Sequence, residues 1–170
     1  MRPVVNRFKD AEETALGAAE AIVARVSELL AEQDAVNLVV TGGTVGILTL
    51  EKLRDLKLDY SRVHIWWGDE RFVEKQSADR NELQARNALL NHIEIPAGNL
   101  HPFPASDEGQ SLDEAAASFR EVVRGVRFDI LLLGIGPDGH VASLFPGHDA
   151  AGELVVAEHD SPKPPPQRLS

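Results

Sequence analysis

The chain has 170 residues, 43% of them hydrophobic, enough apolar material to fill a single core, so one domain over residues 1–170 is expected. Its 17 Lys and Arg against 27 Asp and Glu leave a net charge of -10, which excludes a nucleic-acid-binding face, because phosphate backbones need clustered cations. With no cysteine there is no disulfide, thiolate metal site or thiol nucleophile, and with no leader-like start and no run near the roughly 18 apolar residues of a membrane span, a cytoplasmic protein without membrane contact is expected.

From Phe8 to Leu30, apolar residues recur at Ala15, Ala19, Ile22, Val23, Val26, Leu29 and Leu30. Steps of three and four make one stripe of a helix. "NLVVTGG", Asn37 to Gly43, is a β-branched run closed by two glycines, and "TVGILTLEKLRDL" after it has helical composition. In "RVHIWWGDERF" the pattern returns: Val63 to Trp67 is a buried-strand candidate, stopped by Gly68 and three charged residues. Of Trp66 and Trp67, one is expected to pack inward and the other to face the site.

A helix is expected near Asp79 to Leu90, a short strand within "IPAGNLHPFPAS", and a helix opened by "SLDE", where Ser111 and Glu114 can form a capping box. The third strand is Ile130 to Leu133, followed by glycines and then by "HVASLF", which can begin a helix. The tail "SPKPPPQRLS" is too rich in proline for a helix or a central strand, so it is expected to be extended or turn-like. Strands that alternate with helices, each strand nearly all apolar, indicate an α/β domain: a Rossmann-like, three-layer αβα fold with a mostly parallel sheet.

In such a sheet ligands bind beyond the carboxyl ends of the strands. Three loops gather there. In "TGGTVG" the glycines allow a tight turn, and amides of Gly43, Thr44 and Val45 at a helix start can cradle a phosphate. Its glycine intervals match neither the Walker loop nor the dinucleotide fingerprint, so a nucleotide is not expected. In "WGDERF", Arg71 can fork onto a phosphate or carboxylate, held by Asp69 and Glu70. In "GIGPDGH" the glycines clear space for substrate and His140 arrives at the tip, where imidazole can take a proton from water near neutral pH. Asp138 can orient its ring. Asp138, His140, His148 and Asp149 match no standard metal-ligand spacing, and no metal is expected.

"WWGDERFV", "RNELQARNALL", "LLLGIGPDGHVASLFPGH" and "SPKPPPQR" together resemble the 6-phosphogluconolactonases of the glucosamine-6-phosphate isomerase/6-phosphogluconolactonase superfamily. Where the isomerase branch has Met-Asp-Glu-Tyr and "AFNEPG" type sequences, this chain reads "GDERF" and "ASLFPG", which favours the lactonase over an isomerase or deaminase. The resemblance implies hydrolysis of 6-phosphogluconolactone to 6-phosphogluconate without cofactor or metal. It further implies that Thr41, Gly42, Gly43, Thr44, Arg71, Gly139, Lys163 and Arg168 meet the substrate or its phosphate, with Asp69, Glu70, Arg80 and Asn81 as supporting groups.

Two departures set further expectations. The glycine loop reads "TGGTVGI" where many relatives have an "SGGSTP" type loop. Members of the family usually continue well past the proline-rich segment, so the chain is expected to lack C-terminal elements of the sheet. Apolar surface and an unpaired edge would then invite self-association, and a non-catalytic sugar-phosphate-binding fragment is the alternative to an active enzyme.

Overall fold

The protein is described by a computed structural model covering residues 3–148 and 152–170. The expected helical stripe forms α1 (Ala11–Leu30), which starts after Asp10 because that carboxylate accepts the Glu13 amide and caps the first turn. Its buried positions, Ala15, Ala19, Ile22, Val26 and Leu29, are those of the stripe. β1 (Val36–Val40), α2 (Gly43–Leu53) and β2 (Val63–Trp67) follow. β1 and β2 run parallel, with Val36 opposite Val63 and Val40 opposite Trp67.

The strand after Trp67 is short: β3 (Glu70–Arg71) leads to α3 (Asn81–Ala88), β4 (Leu100–His101), α4 (Leu112–Val123) and β5 (Ile130–Leu131). β4 is the short strand expected in the proline-punctuated segment, and α4 opens with the Ser111–Glu114 capping box. β4 pairs with β2 and β5 with β1, both parallel, giving a four-stranded sheet in the order β4-β2-β1-β5. Alternation along β2 turns Trp66 toward Phe119 of α4, while Val63 and Ile65 are fully buried on the opposite face, where α1 packs on α2 and α2 on α3. The three-layer, mostly parallel α/β architecture is therefore as expected.

Three local expectations are corrected. The third strand ends at Leu131, and Leu133 is half exposed beside it at the sheet edge. "HVASLF" forms no helix. Val141 and Leu144 instead exchange backbone hydrogen bonds of 3.3 and 2.9 Å around a tight turn, with Ala142 at φ 53°. Finally, the tail is extended as expected, but its end becomes the middle strand of a second sheet. β6 (Ala157–Glu158) and β7 (Arg168–Leu169) join β3 in an antiparallel order β3-β7-β6. The prolines all precede Arg168, so both edges of β7 keep their amides. No helix among the described residues is long and apolar enough to cross a membrane.

On the α4 face, Trp66 donates its indole N–H to Asn37 Oδ1 at 2.9 Å and stacks on His101, ring centroids 3.9 Å apart. His64 Nδ1 and His101 Nε2 are 2.9 Å apart with rings only 14° from parallel, so one N–H bridges them nearly in plane. Burial, seconded by the His64 charge, lowers the His101 pKa. The unfolded chain therefore binds more protons in this window, and stability rises with pH there. The penalty is absent above about 6.5 and grows as the pH falls toward the lowered value. His101→Phe keeps the ring on Trp66 and removes the titration, so denaturant melts at pH 7 and pH 5 are expected to show a smaller acid loss in the variant.

Candidate active site

All three loops meet at the carboxyl end of the parallel sheet. Thr41, Gly42 and Gly43 from β1, Asp69 and Arg71 after β2, and Gly134, Gly136, His140 and Ala142 after β5 line one cleft of about 210 Å³, closed by Asn81 and Arg168. A larger hollow of about 810 Å³ around Tyr60 and Pro96 has neither imidazole nor guanidinium in its wall. The chemistry sits in the smaller one.

His140 is held on every side. Its Nδ1 lies 2.5 Å from Asp138 Oδ1, and its ring packs against Phe145, centroids 5.0 Å apart. The hydrogen bond from His140 is the main reason the Asp138 carboxyl is pulled down to about 2, so it is ionised at neutral pH. An Nδ1–H donated to that carboxylate leaves the lone pair on Nε2. A Cβ on Gly136 would stand 2.0 Å from the imidazole Cε1. Glycine there is a steric requirement: the ring occupies the space a side chain would take. Gly139, at φ 87°, closes the turn with its amide on Gly136 O.

The cationic wall is built by the small sheet. Arg71 and Arg168 are direct cross-strand partners in the β3–β7 pair. Both line the cleft. Arg168 is fixed from behind by carbonyl oxygens of Lys163, Pro164 and Pro165 at 3.1–3.3 Å, and burial followed by repulsion from Arg71 lowers its pKa. Arg71 Nη1 donates to Asn81 Oδ1 at 2.6 Å and to Asp79 O at 2.9 Å, while its buried Nε has no partner. Two guanidinium groups side by side repel. An anion between them would relieve this. α2 adds donors, for it starts at Gly43 with no side chain capping its first turn.

Eight of the residues singled out in the sequence line the cleft: Thr41, Gly42, Gly43, Asp69, Arg71, Asn81, His140 and Arg168. Asp138 and Lys163 stand behind the imidazole, Lys163 Nζ lying 3.1 Å from His140 Nδ1 and 3.4 Å from Asp138 Oδ1. Thr44 lines a hollow of about 610 Å³ that shares Gly42, Gly43 and Gly134 with the cleft. Glu70 and Arg80, expected as supporting groups, stand behind the wall and do not line the cleft. Glu70, fully buried, accepts the amides of Arg71, Asn81 and Glu82 at 2.7–2.8 Å and so caps α3. Arg80 points into the interior, bonded to Glu82 at 3.0 Å and Phe103 O at 2.8 Å. Neither tryptophan lines the cleft either, both being buried in the sheet.

His148 bonds Glu158 at 2.8 Å, and Asp149 lies outside the described residues. Ala142, which lines the cleft, and Phe145, which packs on His140, are not among the residues singled out in the sequence. Gly134 sat in the quoted glycine run, whereas Ala142 and Phe145 carry no chemical signal.

Fold and cleft together define an open parallel α/β domain with an imidazole and paired guanidinium groups past its strand ends. The family model described as "Glucosamine-6-phosphate isomerases/6-phosphogluconolactonase" matches residues 9–170, and the chain belongs to that family. It is 39% identical to 6-phosphogluconolactonase of Mycobacterium tuberculosis over 185 aligned positions, covering 100% of this chain and 75% of that one. It is 37% identical to the Streptomyces coelicolor 6-phosphogluconolactonase, covering 99% and 72%. The crystal structure of the Thermotoga maritima 6-phosphogluconolactonase superposes with a TM-score of 0.85 at 30% identity, over 96% of this chain and 74% of that one. The Trypanosoma brucei 6-phosphogluconolactonase gives 0.88 at 26%, over 99% and 76%. The chain thus spans about three quarters of the length of these relatives.

Proposed function

We propose that the chain hydrolyses 6-phospho-D-glucono-1,5-lactone to 6-phosphogluconate, with His140 as general base. The observation that carries this reading is the single cleft that joins an Asp138-oriented imidazole to the Arg71–Arg168 pair; the named relatives supply the substrate. The phosphate docks between the two guanidinium groups, helped by the uncapped amides of α2. His140 Nε2 takes a proton from water as its oxygen adds to the lactone carbonyl. The ring C–O bond then breaks, and the imidazolium returns the proton to the leaving ring oxygen. Asp138 holds the Nδ1–H throughout and stabilises the transient imidazolium. Every atom of water ends in the open-chain acid, so the step needs no electron carrier.

The assay compares the phosphorylated lactone with unphosphorylated glucono-1,5-lactone. The wild-type chain is expected to prefer the phosphorylated ring. Arg71→Ala should raise its KM by about tenfold or more, the scale of one charge-assisted contact, with little change toward the unphosphorylated ring. Equal losses on both substrates would show that Arg71 does not hold the phosphate.

A further inference from the structure

The cleft is joined by a contact outside its wall. Ser143 is buried to 1% exposure and does not line the cleft. Its hydroxyl donates to Asp69 Oδ2 at 2.7 Å, across 74 residues of sequence. The other Asp69 oxygen and its carbonyl accept Asn81 Nδ2 at 3.2 and 2.9 Å, and Asn81 Oδ1 in turn accepts Arg71 Nη1. On the other side, Ser143 N donates to Ser170 Oγ at 3.2 Å. The chain of contacts therefore runs from the imidazole loop to the guanidinium that faces it.

We propose that Ser143 is a positioning residue: its bond to Asp69 clasps the His140 loop to the Arg71 loop and sets the base at its working distance from the anion site. The turn it holds needs holding. Val141 and Leu144 close a two-residue turn around Ala142 and Ser143, and Ala142 occupies the left-handed region at φ 53°, where such turns favour glycine. Without the clasp the turn can relax, and His140, one residue before Val141, moves with it. Arg71 and Arg168 are secured separately by the β3–β7 pair, so anion docking survives. Asp69 is thus an acceptor that ties loops together rather than a proton carrier, since both its oxygens are engaged by donors.

This inference rests on the hydrolase reading for its kinetic arm only. Ser143→Ala is expected to lower kcat at least tenfold with KM within threefold. Adding Ala142→Gly, which adopts the positive φ without strain, should recover at least threefold of that loss. A kcat within twofold of the parent, a loss carried by KM, or a double variant no faster than Ser143→Ala would overturn the clasp. Amide hydrogen exchange decides independently of turnover. Ser143→Ala should speed exchange at Gly136 and Val141 at least tenfold and leave Ile65 in β2 unchanged. Uniform acceleration would make Ser143 a plain fold stabiliser and also overturn it. A parent chain without lactone turnover refutes the hydrolase, while the exchange result still judges the clasp.

Discussion

His140→Ala is expected to lower kcat for the phosphorylated lactone by at least about a hundredfold, the lower part of the range for loss of a positioned general base. Among the described residues of the cleft wall, the imidazole is the only group with a free lone pair suited to taking a proton near neutral pH: Asp69 has both oxygens engaged by donors, and Arg71 and Arg168 are cations. Three neighbours orient the ring. Asp138 fixes the tautomer, Phe145 packs its face, and Gly136 yields the space beneath it. Because the Arg71–Arg168 pair proposed to hold the phosphate is a separate part of the cleft wall, KM should change far less than kcat. A steady-state comparison with unchanged circular dichroism checks this, and a variant turning over within tenfold of the parent would contradict it.

Glu70→Ala is expected to destabilise the fold by about 3–5 kcal/mol, the usual cost of removing one partner from a buried ionic network. Glu70 is fully buried. Desolvation pushes its pKa up, while Arg80 and the amides of Glu82, Asn81 and Arg71 pull it back. Alanine would orphan those three amide donors, two of them in the first turn of α3, and leave Arg80 facing Glu82 alone. Urea unfolding measures the loss. A change below about 1 kcal/mol would mean that water replaces the carboxylate freely, contrary to its burial. Since Glu70 also holds the amides of Arg71 and Asn81, which line the cleft, activity should fall by more than the loss of folded protein.

The parts legible in the sequence were those governed by local pattern. α1 follows from a stripe in steps of three and four, β1 and β2 from unbroken apolar runs, and the α4 start from a capping box. The position of His140 past the third strand also followed, because strand ends gather at one rim, although that strand lies at the sheet edge with Leu131 exposed and is not buried on both faces.

What escaped was decided by contacts distant in sequence. β3 and β7 are two residues each, too short for any periodicity, yet their pairing puts Arg71 opposite Arg168. Arg71 and Arg80 have the same chemistry and adjacent loops; only the third dimension sends one to the cleft and the other to Phe103 O. In "HVASLF" the composition allows a helix, but the Ser143–Asp69 bond and the turn around Ala142 select otherwise. Asp69 and Glu70 differ by one step along an extended chain, so one faces the cleft and the other the core.

Opening of a phosphorylated sugar lactone at the His140 cleft is read directly from the acid it releases. The most direct measurement is acid release from freshly generated 6-phospho-D-glucono-1,5-lactone in a pH-stat, with the chain present and absent. Release is expected to be saturable, well above the spontaneous rate and competitively blocked by 6-phosphogluconate. Release at the spontaneous rate, with the chain folded, would contradict lactone opening at this cleft.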